Sequence, residues 1–126
     1  FGGCRSATRI VFPKYLTYLP GSGVSFCNYM VEFVFPENVK SISNYFFYGC
    51  ISLKEIVIPD TVTTIDFRAF WDCTSLTRIT IPASVTKIDS TAFDGCKKDK
   101  LVWVVTPGSY AETYAKKNYY HYVYAK

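Results

Sequence analysis

The stretch ISLKEIVIPDTVTTIDFRAFWDC, residues 51–73, decides the fold because its pattern recurs along the chain with a period equal to its own length. The cysteines show the period most simply, each following the last by one such length: Cys4, Cys27, Cys50, Cys73 and Cys96. Prolines, valines and isoleucines keep the same step in other series, so the register does not depend on one residue type. Repetition at a fixed step predicts an array of stacked structural units.

The first half of each unit is predicted to be a short strand. Leu53, Ile56 and Ile58 follow an L-x-x-I-x-I pattern, in which the two isoleucines lie two residues apart and share one face of a strand. Pro59 should end the strand, because proline has no backbone N–H to donate to a further ladder bond. Glu55 and Val57 then point to the opposite face.

The second half of the unit is predicted to return the chain to the next strand. Val62 and Ile65 are expected to point back into the core, and Ala69, Phe70 and Cys73 have the spacing of a short helical or 3₁₀ turn. One coil cannot bury its apolar face alone, whereas stacked coils can build a continuous core. Like residues should therefore lie directly over like, with parallel strands about 4.8 Å apart.

These motifs closely resemble the BspA-like subfamily of leucine-rich repeats, whose units are about 20–29 residues long. Its pattern I-P-x-S-V-T-x-I followed by A-F-x-x-C is matched by residues 81–88 and 92–96. The resemblance implies an α/β leucine-rich-repeat solenoid with short parallel strands and short helical or 3₁₀ turns. It also implies a bacterial or protist surface protein that adheres to host proteins, host cells or other microbes.

The domain boundaries follow from the register. We predict leucine-rich repeats over residues 1–100: a partial repeat at 1–10, a degenerate repeat at 11–33 and regular repeats at 34–100. The sequence PGSG at 20–23 makes the second of these irregular. Because the chain opens part-way through a repeat, we expect that the natural protein continues upstream or that the chain is an excised or proteolysed fragment.

The last segment, 101–126, is predicted to be a C-terminal cap of one helix and one strand. The repeat register slips by two at Leu101, whose strand runs to a proline at 107. Ser109 is a suitable N-cap for a helix through 110–115, and tyrosines alternate over 119–124 as in a strand. A terminal unit must differ from the repeats, since it seals the core against water.

Charge is unevenly distributed. Up to Cys96 eight basic residues balance eight acidic ones, so the formal net charge of +4 arises entirely from the segment after Cys96. We interpret the lysines there as a solvated surface rather than a phosphate or acidic-glycan site, and we expect no nucleic-acid partner. No apolar run approaches the roughly 20 residues that a membrane-spanning helix needs, so no membrane insertion is expected.

No constellation in the sequence predicts catalysis, a cofactor or a metal site. Five cysteines cannot all pair, and no C-x-x-C motif occurs, so we expect a structural ladder of buried, reduced thiols. His121 lies far in sequence from any cysteine and is expected to be exposed. Asp66 and Asp89 are one repeat apart, and repetition alone explains the pair.

The outward side of the strands is the candidate partner-binding surface, expected to be the concave face. One column is predicted to contain Arg9, Glu32, Glu55, Arg78 and Trp103. It is either a recognition strip with an aromatic anchor or a set of cross-strand charge pairs, with Trp103 packed on the cap. A parallel column contains Val11, Val34, Val57, Thr80 and Val105. A further aromatic group should lie on the opposite side as packing: Tyr45, Phe46, Tyr48, Phe67 and Trp71.

Three functions remain open from the sequence. The first is a cell-surface or secreted adhesion module that binds a host extracellular-matrix or microbial protein. The second is a structural spacer within a larger surface protein. The third is glycan binding, because exposed aromatic rings can stack on sugars. We expect no enzyme activity and an extracellular or cell-surface location.

Overall fold

A computed structural model describes residues 6–16 and 19–126, so the predicted ladder position of Cys4 lies outside the described residues. The chain forms a solenoid of about five turns with one C-terminal helix and strand, which confirms the predicted fold class. Its elements are β1 Arg9–Val11, β2 Glu32–Val34, β3 Ser41–Ile42, β4 Glu55–Val57, β5 Thr64–Ile65, β6 Arg78–Ile81, β7 Lys87–Ile88, β8 Val102–Val105, α1 Tyr110–Lys117 and β9 His121–Tyr124.

Parallel strands line two sides of the solenoid. On one side β1 pairs with β2, and β4, β6, β8 and β9 form a four-stranded sheet; on another side β3, β5 and β7 form a three-stranded sheet. Every strand pair is parallel, and Ile56 lies opposite Ile79 as Ile42 lies opposite Ile65. The partners in both pairs are separated by one full repeat, so the sequence period and the structural period agree.

The core consists of columns of identical or similar apolar residues. Phe47, Phe70 and Phe93 stack with ring centroids 4.9 and 5.1 Å apart and planes within 10° of parallel. These distances match the spacing of neighbouring strands, so each coil contributes one ring to a continuous pile. Leu53 and Ile65 are fully buried in the same core.

Hydrogen-bonded turns form the third side of the solenoid. Two columns in these turns have left-handed backbones, with φ of 51–62° in one and 59–82° in the other: Ser22, Tyr45 and Arg68; Phe26, Gly49, Asp72 and Gly95. Left-handed residues cannot continue a right-handed helix. The predicted short helical segments are therefore successive turns that donate from residue i to i−3, and α1 is the one helix in the described residues.

The C-terminal helix begins where the sequence predicted. Ser109 is the N-cap of α1 and accepts a hydrogen bond from the Glu112 N–H at 3.2 Å, while Glu112 accepts one from the Gly108 N–H at 2.8 Å. This reciprocal arrangement satisfies two amides at the helix start. The following strand β9 extends the sheet by pairing in parallel with β8. Neither α1 nor any other described segment is a helix of the length and apolarity needed to span a bilayer.

Gly95→Ala tests the left-handed turn column. A left-handed backbone conformation costs an alanine ~1–2 kcal/mol. We expect Gly95→Ala to lower the free energy of unfolding by more than this, because the added Cβ would also lie 3.0 Å from the Asp72 backbone nitrogen. Gly108→Ala is the matched control, since Gly108 has a φ of +79° and no atom within 4 Å of a Cβ. Urea unfolding of both variants measures the difference, and equal losses would contradict the packing argument.

Candidate functional site

Four predicted contact residues lie exposed on one side of the solenoid. Arg9 is directly opposite Glu32 across β1 and β2, and Glu55 is directly opposite Arg78 across β4 and β6. All four side chains are exposed. We call this outward side of β1, β2, β4 and β6 the strand face. Each half of the strand face contains one pair of opposite charges. The basic residue comes first along the chain in the pair Arg9–Glu32 and second in the pair Glu55–Arg78.

The charged side chains of the strand face contribute little to the stability of the fold. Arg9 Nε and Glu32 Oε1 form an ion pair at 3.1 Å, but each side chain is 58% exposed. Such exposed pairs contribute little to stability. Within the described residues no ion pair joins Glu55 to Arg78. The carboxylate of Glu55 and the guanidinium of Arg78 are therefore available to another molecule.

A groove of about 290 Å³ divides the strand face between β2 and β4, which no ladder joins. Glu32 lies on one wall and Glu55 on the other, so two carboxylates flank one depression. Val57, on the rim, is 66% exposed. The groove is lined by Val31, Glu32, Phe33, Glu55, Ile56 and Val57. An apolar floor between acidic walls suits a basic side chain with an aliphatic stem.

The prediction that Trp103 belongs to the exposed column is wrong. Val102 lies opposite Arg78, and Trp103 lies opposite the buried Ile79. The strand therefore slips by one residue relative to the repeat, whereas two were expected at this end of the chain. Because successive side chains alternate faces, this difference of one residue turns Trp103 inward, where it is 0% exposed. By the same shift Val104, not Val105, lies opposite Thr80.

Trp103 closes the core beneath the C-terminal segment. Its ring stacks on Tyr114 of α1, with centroids 5.6 Å apart and planes 8° from parallel, and on Tyr120 at 4.8 Å. Its other neighbour is Phe93, the last ring of the phenylalanine column, at 5.0 Å. The alternative interpretation, in which Trp103 packs on the cap, is the one that this geometry favours.

The described cysteines lie in one column, and Cys50, Cys73 and Cys96 are free thiols. Cys27, Cys50 and Cys73 are buried and Cys96 is partly exposed. Three of them donate to a carbonyl of the preceding coil at 3.0–3.2 Å: Cys50 to Val24, Cys73 to Phe47 and Cys96 to Phe70. Burial, and less strongly the neighbouring thiol of Cys27, raises the pKa of Cys50 from 9.0 to about 12. Burial likewise holds the pKa of Cys73 well above its ordinary value.

The remaining polar candidates do not converge on one site. His121 is exposed on β9, as predicted. Asp66 and Asp89 are partly exposed in successive turns, and the Thr91 hydroxyl and N–H donate to Asp89, which lowers the pKa of Asp89. Among the residues described, no group of three or more His, Cys, Asp or Glu side chains is placed to hold a metal ion.

The predicted aromatic packing group divides into two parts. Phe46 is fully buried and contacts the rings of Phe12 and Phe33 in the core. The other four rings lie together on the turn side of the solenoid: Tyr45, Tyr48, Phe67 and Trp71. Two further members of that group, Phe26 and Arg68, were not predicted from the sequence, because Phe26 lies in the irregular repeat and Arg68 is not aromatic.

Comparison with protein families finds one match over most of the chain. The family described as "BspA type Leucine rich repeat region" matches residues 1–103 in six copies. The chain matches no protein among the curated sequences. The matched range spans the irregular segment near residue 20.

Three solved structures resemble the chain. A leucine-rich cell surface protein from Faecalibacterium prausnitzii is 32% identical, with a TM-score of 0.79 over 89% of this chain and 29% of its own. A leucine-rich repeat protein from T. pallidum is 28% identical, with a TM-score of 0.74 over 80% of this chain and 47% of its own. A leucine-rich repeat protein from Bacteroides ovatus is 28% identical, with a TM-score of 0.68 over 85% and 27%. The chain thus spans less than half of each.

Trp103→Ala tests the inward placement of Trp103. We expect it to lower the free energy of unfolding by about 3–5 kcal/mol, as for other truncations of large core rings. Trp103→Phe should cost less than half of this, because it keeps the stacking and because the indole N–H has no hydrogen-bond partner to lose. Urea denaturation followed by circular dichroism measures both. A near-neutral Trp103→Ala would mean that Trp103 is exposed.

The thiols should be protected in the folded protein and free in the unfolded one. Alkylation with iodoacetamide followed by peptide mapping should modify Cys96 before Cys50 and Cys73, and denaturation should make all five cysteines of the chain reactive. Any native disulfide would contradict this expectation.

The raised pKa of Cys50 also predicts a pH dependence. Above pH 9 the unfolded thiol loses its proton while the folded one keeps it up to about pH 12. This contribution to stability is therefore fully present below pH 9 and falls as the pH rises toward 12. Urea unfolding of Cys50→Ala over this range should show a shallower decline than the unchanged protein. Parallel declines would refute the assignment.

Proposed function

This chain belongs to the BspA-type leucine-rich repeat family, and on that premise we propose that it is a protein-interaction and adhesion module of a cell-surface or secreted protein. The partner is a protein of the host extracellular matrix or of a microbial surface. The observation that carries the proposal is the strand face, where uncommitted charges and exposed valines surround a groove on a rigid frame. Proteins of this family are generally not enzymes, and we propose that this chain has no catalytic activity.

The rigidity of the frame supports a role in recognition. The solenoid behind the face has a core of fully buried residues such as Leu53, Val62 and Leu76. Side chains on such a frame lose less conformational entropy on binding than side chains on a loop. Stable protein complexes bury about 1,200–2,000 Å² in total, so the strand face of this chain alone should bind weakly. Additional repeats would add contact area.

The residues that line the groove support a particular chemistry for the partner. Glu55 has no cation beside it within 4.0 Å in the described part of the chain, and it faces Glu32 across the groove. A lysine or arginine of the partner would pair with Glu55, while apolar side chains would cover Val57 and Val31, which are 66% and 53% exposed. The surface therefore suits a protein segment that combines basic and apolar side chains.

Two rival functions predict other outcomes. A structural spacer would need no recognition surface, and a glycan-binding module would need exposed aromatic faces on the strand side. The aromatic residue predicted there, Trp103, is buried in the core. A location at the cell surface is supported by the similarity to the Faecalibacterium prausnitzii protein, which is a leucine-rich cell surface protein.

The double variant Glu55→Arg, Arg78→Glu tests the strand face. It exchanges the charges of two residues that lie directly opposite each other, so net charge and cross-strand pairing are kept while the pattern shown to a partner is reversed. We expect unchanged stability, within about 0.5 kcal/mol, and loss of the proteins that the unchanged chain captures from solubilised extracellular matrix.

A matched exchange elsewhere provides the control. Glu37→Lys with Lys87→Glu also preserves net charge, and both residues are exposed outside the strand face. This control should capture the same proteins as the unchanged chain. Equal loss in both variants would show that binding is not located on the strand face. If the unchanged chain captured no protein from matrix or microbial-surface extracts, the result would favour the structural spacer. Binding on a glycan array alone would favour a glycan-binding module.

A further inference from the structure

The turn side of the solenoid carries an aromatic cluster that is separate from the strand face. Tyr48 stacks on Trp71 at 4.6 Å with planes 14° from parallel, and Phe26 contacts Tyr48 at 4.4 Å. Tyr45 joins the two turns, at 5.5 Å from Phe67 and 6.1 Å from Trp71. Phe26 and Phe67 remain 48% and 36% exposed. We call the group the turn-side cluster: Phe26, Tyr45, Tyr48, Phe67, Arg68 and Trp71.

One cation is fixed inside the turn-side cluster. The Arg68 guanidinium lies over two rings, with its central carbon 4.1 Å from the Trp71 centroid and 4.8 Å from the Phe67 centroid. The Arg68 backbone N–H donates to the Thr91 hydroxyl at 3.1 Å, and its φ of 51° holds the residue in a left-handed turn. Both ends of the side chain are therefore held in place.

The fixed guanidinium has no anion within the described residues. No carboxylate of the described chain lies within 4.0 Å of it, and its Nε is buried without a hydrogen-bond partner. The terminal nitrogens are its remaining donors, and no acceptor in the described chain occupies them. A guanidinium presents a planar fork that matches a carboxylate, and contact with aromatic rings keeps that fork in one orientation.

The surroundings indicate a protein ligand rather than a sugar. Tyr48 and Arg68 both lie over the Trp71 ring at close range, at 4.6 Å and 4.1 Å from its centroid. These two contacts reduce the area of the Trp71 ring on which a sugar could stack. The exposed parts are the phenylalanine rings Phe26 and Phe67, which suit apolar side chains next to a carboxylate. Aromatic and arginine side chains in such patches are typical of protein–protein hot spots.

We propose that the turn-side cluster is a second docking site, at which Arg68 binds an aspartate or glutamate of a protein partner while Phe67 and Phe26 contact the apolar side chains beside it. The two sides of the solenoid then have opposite preferences. The strand-face groove attracts a basic segment, and the turn-side cluster attracts an acidic one.

The test uses a blocked peptide with the core Leu-Asp-Phe-Glu-Leu and its neutral counterpart Leu-Asn-Phe-Gln-Leu. Nuclear magnetic resonance would follow the side-chain Nε–H signal of Arg68 and the indole N–H of Trp71 during titration of the full chain. We expect the acidic peptide to shift both signals saturably and the neutral one to leave them unmoved. Arg68→Gln should weaken binding by about tenfold or more, the loss expected for a charge-assisted hydrogen bond.

Two further variants keep the proposal falsifiable. Arg68→Lys retains the charge without the planar fork, so it should bind more weakly than arginine, and it replaces Arg68→Gln should that variant fail to fold. Lys87→Gln removes an equal charge at an exposed position outside both proposed surfaces and should leave peptide binding unchanged. Equal binding of both peptides, or equal loss in Lys87→Gln, would overturn the proposal. Shifts produced by hyaluronan oligosaccharides but not by the acidic peptide would overturn it in favour of an acidic sugar.

Discussion

Backbone hydrogen bonding between successive coils is the constraint on which the rest of the structure depends. Pairs such as Asp66 N–H to Ile42 carbonyl and Asp89 N–H to Ile65 carbonyl, both at 2.9 Å, place each coil one strand spacing from the last. Every side chain in a column must then tolerate a copy of itself about 4.8 Å away. Flat rings and small thiols satisfy this condition, which explains why one phenylalanine column, at Phe47, Phe70 and Phe93, and one cysteine column, at Cys50, Cys73 and Cys96, run through the regular array.

The parts of the fold that repeat could be predicted from the sequence, because each prediction was supported at several positions. The strand at Glu55–Val57 and the inward return leg at Ile65 recur in neighbouring coils, so an error at one would have appeared as a break in a column. The helix start at Ser109 was predicted for a different reason, since its side chain supplies a local hydrogen bond that needs no repeat.

The sequence was not sufficient to predict which side chains face inward at the C-terminal end, where the repeat period stops. From Leu101 to Val105 every residue is apolar, so no alternation of polar and apolar side chains indicates which face is inward. The proline at 107 suggested a slip of two, but the strand slips by one. Trp103 consequently moved from the candidate site into the core. The same limit applies to the turn-side cluster, because a left-handed backbone at Tyr45 and Arg68 has no sequence signal when the residue is not glycine.

The two candidate surfaces share one feature: both contain residues that differ from the other members of their column. Columns of identical residues stabilise the stack of coils. Residues that differ from the rest of their column without a structural reason are not needed for this stacking and can contact another molecule. On the strand face the charges alternate in sign from Arg9 to Glu32 and again from Glu55 to Arg78, and the ladder is interrupted between the two pairs. On the turn side Arg68 takes the place occupied by Tyr45 in the coil before and by Thr91 in the coil after. A regular frame thus makes its irregular positions the natural place to look for recognition, since packing alone does not require them.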